Sequence, residues 1–145
     1  MSAVSTAAIL LQTNNMLGDI PGLSLGVNVT SATSAVVVSS DGAVQVNGTN
    51  TGQAVVVDIY LFVDGDTTPR QIVQRRVYAV NNAIVPNIAN WSFSVAVTGL
   101  APGVSHTFRV AAAIIASNGG VAAIVGGSSA APSNRATLTA VVVNK

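Results

Sequence analysis

The chain has 145 residues, half of them hydrophobic, with only 8% charged where an ordinary soluble domain carries about 25%. Its acids are Asp19, Asp41, Asp58, Asp64 and Asp66, with no Glu, and its bases are Arg70, Arg75, Arg76, Arg109, Arg135 and Lys145. A net charge of +1 excludes a sequence-independent nucleic-acid binder, which needs many phosphate-neutralising cations. No Cys is present, which excludes disulfides, thiolate metal sites and zinc ribbons.

The absence of Glu argues against helices, whose surfaces draw on Glu and Lys, and the Val, Ala, Thr and Gly palette favours strands and tight turns. So little charge leaves a lone domain poorly solvated, so the composition points to an oligomer or an assembly. The longest early apolar run, Ala7 to Leu11, is far short of the roughly 20 residues that span a bilayer. No Lys or Arg precedes it as in a secretory signal, so the chain reads as mature and soluble, with no membrane partner. Sequons at Asn28, Asn47 and Asn90 are what chance supplies in a chain rich in Asn, Ser and Thr.

In chain order, residues 1–25 stand apart as an N-terminal arm, and residues 26–145 form a β-sandwich domain. The arm is either a short helix ending near Gly18 or an extended segment lying over a neighbouring subunit. It carries Ile9, Leu10, Leu11, Met16, Leu17, Ile20 and Leu23, the residues expected to bind a partner.

From Val27 onward, β-prone runs alternate with turn signals at the spacing of a sandwich or barrel. The strands expected are Ala35 to Ser39, Ala43 to Val46, Ala54 to Val63, Gln71 to Tyr78, Trp91 to Val97, His106 to Ile114, Val121 to Val125 and Ala136 to Val143. Turns are expected at Asp41-Gly42, Asp64-Gly65-Asp66, Asn81-Asn82 and Asn118-Gly119-Gly120, residues that accept the backbone angles of tight reversals. Alternation of Trp91, Phe93, Val95 and Val97 with polar or small residues, and of His106, Phe108 and Val110 with Thr107, Arg109 and Ala111, gives each of those strands one buried face. Val55 to Val63 apart from Asp58, and Ala136 to Val143 apart from Thr137 and Thr139, are nearly all apolar on both faces, so they either lie between two layers or turn a second face to a subunit.

The candidate chemistry is sparse. His106, the single His, reads as a strand-start residue donating to a backbone carbonyl, since a general base or metal ligand needs further groups beside it. Asp64 and Asp66 read as a turn pair, because a calcium loop closes on a Glu that this chain lacks. Asp41 and Asp58 lie in different elements, too scattered for a two-carboxylate glycosidase site. No Gly-x-Ser-x-Gly elbow or phosphate-cradling glycine loop occurs. Trp91 and Phe93 read as the centre of the core. Arg75 and Arg76 point to opposite faces of one strand: as edge charges they block strand pairing, and as ion-pair donors one of them meets Asp58, Asp64 or an acidic patch on a partner. No catalytic, cofactor or metal site is expected, and the chain does not read as an enzyme.

The run Val97-Thr98-Gly99-Leu100-Ala101-Pro102-Gly103-Val104-Ser105-His106-Thr107-Phe108-Arg109-Val110 resembles a loop-to-strand corner found in two groups of sandwiches. One is the fibronectin type III-like group, in which an aromatic stands where this chain has His106. The other is the trimeric jelly-roll group of the tumour-necrosis-factor/C1q type, which includes many phage virion proteins. That second resemblance also takes in Asp58-Ile59-Tyr60-Leu61-Phe62-Val63-Asp64-Gly65 and the closing strand Arg135-Ala136-Thr137-Leu138-Thr139-Ala140-Val141. The fold expected is therefore an all-β sandwich of about eight antiparallel strands with an N-terminal arm, a jelly roll in preference to an immunoglobulin-like fold.

The jelly-roll resemblance implies a bacteriophage capsid decoration (cement) protein, a homotrimer bridging subunits of the major capsid protein on the virion surface and made in the host cytoplasm. The alternative is an immunoglobulin- or fibronectin-like module that binds carbohydrate or protein on a phage tail or a cell surface.

Overall fold

The computed structural model describes residues 1–12, 16–66, 74–82, 88–127 and 134–144. They form β1 (Ser2–Val4), β2 (Ile9–Leu11), β3 (Leu17–Asn28), β4 (Ala35–Asn47), β5 (Ala54–Val63), β6 (Gln74–Val80), β7 (Ile88–Val97), β8 (Ser105–Asn118), β9 (Ala122–Val125) and β10 (Thr137–Val143). Part of the run expected from Gln71 to Tyr78 lies outside the described residues.

Pairing follows one rule, first strand with last: β1 with β10, β2 with β9, β3 with β8, β4 with β7 and β5 with β6, all antiparallel. The chain is thus a single long two-stranded ribbon. It rolls up through three further antiparallel contacts, β4 with β10, β4 with β9 and β5 with β8. The result is a six-stranded sheet (β1-β10-β4-β9-β2, with β7 also on β4) facing a four-stranded sheet (β3-β8-β5-β6). This is jelly-roll topology, two Greek keys in two sheets. An immunoglobulin-like sandwich sets its first two strands side by side, whereas among the described strands β5 and β6 are the one sequence-adjacent pair that bond to each other.

Among the described residues ten strands appear where about eight were expected, because two lanes of the roll are each made in two pieces, β1 with β2 and β9 with β10. Ser5 sits in the gap of its lane: its N–H donates to Ala136 O (2.9 Å), its hydroxyl donates to Gly127 O (2.6 Å) and accepts from Ala136 N (2.9 Å). The segment beyond it presses on a bulge in β3, where the register shifts between Asp19 and Ser24. Thr6 N donates to Pro21 O (2.9 Å). Gly22 there has φ +85°, and a Cβ on it would stand 2.5 Å from Val4 O. Proline is tolerated at such an edge bulge because no ladder bond is demanded of it. Residues 1–25, set apart in sequence as an arm, are therefore β1, β2 and most of β3, and residue 25 lies inside β3. No helix forms at Gly18, which belongs to β3.

The core lies between the sheets. Val36, Val38, Val44 and Val46 of β4 and Trp91, Phe93, Val95 and Val97 of β7 face Val55, Val57, Ile59, Leu61 and Val63 of β5 and Phe108, Val110 and Ile114 of β8. Burying each Val, Leu or Ile contributes about 1.5–3 kcal/mol. The turn expected at Asp41-Gly42 is corrected: β4 runs through both residues without a break. Gly42 lies opposite Trp91, and a Cβ on it would come within 2.3 Å of the indole. Glycine at that position makes room for a ring and does not reverse the chain. The turns at Asp64 to Asp66 and at Gly119-Gly120 do close their strands, with Asp64 at φ 55° and both glycines at positive φ.

Candidate functional site

Strand alternation gives each sheet an outer face, and the two faces differ in chemistry. On the four-stranded sheet, Asp58 points outward yet is almost fully buried. Arg76 binds it in a two-pronged pair, Nε to Oδ1 and Nη2 to Oδ2, both 2.8 Å. Of the two readings of Arg75-Arg76, this is the ion pair, made by Arg76 across the β5–β6 ladder, where Asp58 and Arg76 are direct partners. Arg75, on the other side of the strand, donates from Nε to Ser92 O of β7 (3.2 Å), an arginine laid against an edge strand.

Tyr60 OH donates to Asp58 Oδ2 at 3.4 Å. Burial first, and then the Asp58 carboxylate, push the Tyr60 phenol above its ordinary pKa, since both disfavour a second negative charge. The hydrogen bond to Asp58 likewise raises the Arg76 guanidinium further. One row along the sheet, the Arg109 guanidinium lies 4.1 Å above the centre of the Phe62 ring and pairs with Asp19 of β3. This cation–π contact seals an outward-facing Phe from water.

At one end of the sandwich, His106 of β8 is buried beside Val27. Nδ1 is 2.8 Å from Asp64 Oδ2, and Nε2 is 2.9 Å from Ala101 O. The carbonyl contact is the one expected from sequence, and the carboxylate is the addition. Both partners are acceptors, so both contacts are hydrogen bonds when the ring carries two protons. Asp64 Oδ1 also accepts from Thr107 N (2.8 Å), which fastens the turn after β5 to the start of β8. Among the described residues no three His, Asp or Glu side chains gather in a metal-binding group.

Across β1, β10, β4 and β7 the outer face of the six-stranded sheet is rich in small hydroxyls. One row across β1, β10, β4 and β7 reads Ser2, Thr139, Ser39, Ser94, and the next reads Val4, Thr137, Asp41, Ser92. Ser39 Oγ donates to Ser94 Oγ (2.9 Å), and Thr137 Oγ1 donates to Asp41 Oδ2 (2.6 Å). Among the described strand residues Asp41 is the one charge on this face. Val141 and Val143 of β10 are 52% and 43% exposed, and Leu10 of β2 is 43% exposed.

Of the seven residues expected to bind a partner, Leu11, Ile20 and Leu23 are buried in the chain's own core and Ile9 is half-buried against it. Leu10, Met16 and Leu17 are exposed. Period-two alternation separates them, since Ile9 and Leu11 face inward and Leu10 outward. The hydroxyl face was hidden in sequence because its rows join residues about a hundred positions apart. Its one local signal is the alternation of Thr137 and Thr139 with Leu138 and Ala140.

No family model matches this chain, and neither does any curated protein. Among solved structures, one similar chain belongs to "Structure of infectious bursal disease virus Gx strain". It is 14% identical, the match covers 97% of this chain and 35% of that one, and the TM-score is 0.35. This chain thus spans about a third of that chain's length. A likeness at that level carries no information on function, and the jelly-roll assignment rests on the strand pairings.

Proposed function

We propose that this protein is a structural component of a virion, a capsid decoration protein that works as a homotrimer and bridges capsid subunits at the particle surface. The observation that supports this reading best is the outer face of the six-stranded sheet. Ser39 already bonds to Ser94 and Thr137 to Asp41, so for these groups little polar hydration is lost when the face is covered. Its exposed Val141, Val143 and Leu10 add apolar area, worth about 25 cal/mol per Å² removed from water. Its one charge among the described strand residues, Asp41, accepts a hydrogen bond from Thr137, so a partner that covers the face has a single carboxylate to satisfy. In this reading the protein acts by the area it buries and performs no catalysis.

Sedimentation velocity at micromolar concentration tests it. The expected species is three times the 14.5 kDa chain, and Val141→Arg with Val143→Arg reduces it to one chain while the far-ultraviolet spectrum of the fold is kept. Both positions face solvent in the single chain, so the pair of arginines spares the core. An unaltered protein that sediments as a monomer overturns the reading.

A further inference from the structure

The geometry points to a binding subsite for one ring of a neutral saccharide on the outer face of the four-stranded sheet, beside Tyr78. β8 bulges where its register on β5 shifts: Val57 pairs with Ile114 and Val56 with Ala116, leaving Ile115 extra. A bulge bends its strand and re-aims the side chains beyond it. Just past it lies a shallow cleft of about 200 Å³ lined by Ala54, Val56, Tyr78, Ala116, Ser117 and Asn118. The small residues Ala54, Val56 and Ala116 form its floor: Val56 pairs with both Tyr78 and Ala116, and Ala54 pairs with Asn118.

Three features define the ligand class. Tyr78 is 62% exposed, and its ring offers an apolar face with a polar tip, the surface on which the C–H face of a pyranose stacks. The Asn118 carboxamide donates from Nδ2 to Gly52 O (3.3 Å), which leaves its oxygen and second N–H to serve a hydroxyl that both donates and accepts. Among the described residues no charged side chain lines the cleft, which suits an uncharged occupant, and the volume suits one ring where a drug-sized pocket has about 300–1,000 Å³. A phosphate or a carboxylate would find no cation there, and a purely apolar ligand would leave the amide unpaired. The subsite is independent of the assembly role, because it lies on the opposite sheet from the hydroxyl face.

The test is a titration of the isotope-labelled full chain with the methyl glycosides of glucose, galactose, mannose and N-acetylglucosamine, followed by amide chemical shifts. One of them is expected to give saturable shifts clustered at Ala54, Val56, Tyr78, Ala116 and Asn118. Tyr78→Ala and Asn118→Ala are each expected to weaken binding at least tenfold, with the remaining spectrum unchanged, since both side chains are exposed. Absence of saturable shifts with all four glycosides overturns the proposal, as do shifts that persist in Tyr78→Ala. If Tyr78→Ala instead lowers the sedimenting mass, the ring belongs to a subunit contact and the saccharide assignment falls, while the assembly reading stands.

Discussion

The two outer faces of this sandwich start from the same pattern, alternate residues of β-strands turned away from the core, and resolve it in opposite ways. Around β5 the four-stranded sheet treats its outer face as a second interior: Asp58 and Phe62 point outward but are buried under Arg76, Tyr60 and Arg109, while Leu17, Tyr78 and Val80 on its edge strands stay exposed. The six-stranded sheet leaves Val141, Val143 and Leu10 bare and sets Ser and Thr hydroxyls in two rows across β1, β10, β4 and β7. In a chain with so few charged residues, spending four of them, Asp19, Asp58, Arg76 and Arg109, on one face leaves the other close to neutral. An outward-facing apolar residue therefore has no fixed meaning in a β-protein. Its neighbours decide whether it belongs to the fold or to a partner.

Substitutions can break that comparison. The largest effect is expected at Phe62→Ala, with a loss of about 3 kcal/mol in urea unfolding, at the low end of the range for a buried aromatic because the ring lies on the outer side of its sheet, under the Arg109 guanidinium and beside the Tyr60 ring. Val141→Ala, equally outward in its own sheet, is expected to stay within about 0.5 kcal/mol, measured below the concentration at which the chain associates. Equal losses at the two sites would erase the distinction between the faces.

Gly42→Ala comes next. The added methyl meets the Trp91 indole and the Ala136 Cβ at 2.6 Å, and overpacking of that kind costs about 1–3 kcal/mol, to be read from the same unfolding curves. If the strand there were a turn, as sequence suggests, the methyl would meet solvent and the cost would be small.

The smallest effect is alkaline. Folding holds the Tyr60 proton because burial and Asp58 disfavour the phenolate. An unfolded tyrosine ionises near pH 10. The sign follows: the stabilisation is present below about pH 10 and is lost as pH rises through the higher folded value. Tyr60→Phe is expected to flatten the fall in stability with pH in that range, and an unchanged slope would show that the phenol is not held by the Asp58 pair.

Strand identity was legible from sequence wherever a single face decides it. Ala54 to Val63 appears with the bounds read from its apolar run, and the alternation from Trp91 to Val97 puts Trp91, Phe93, Val95 and Val97 in the core as read. Glycine was harder, because the same residue type serves two purposes: Gly119 and Gly120 supply positive φ, whereas Gly42 supplies only the absence of a side chain. The pairing of β1 with β10 was invisible, since no local property of Ser2 to Val4 names Thr137 to Thr139 as its partner. The ion pair of Asp58 with Arg76 stood among the options because β5 and β6 are neighbours in sequence. That of Asp19 with Arg109, 90 residues apart, had no such signal.

The first-with-last ribbon also sets the order in which the molecule can be built. β5 and β6 can close as a local hairpin, but β4 gains its partners on one side only when β9 and β10 arrive, and such distant pairings form slowly. Until then one long edge of β4, with Val36, Val38, Val44 and Val46 on its apolar side, is open to any strand that reaches it. A second copy further along, with β9 and β10 made but not yet docked, offers the matching strands. Crowded synthesis therefore favours exchange of those C-terminal strands between chains, and the hazard lies in the nascent protein, where the finished sandwich has already hidden it.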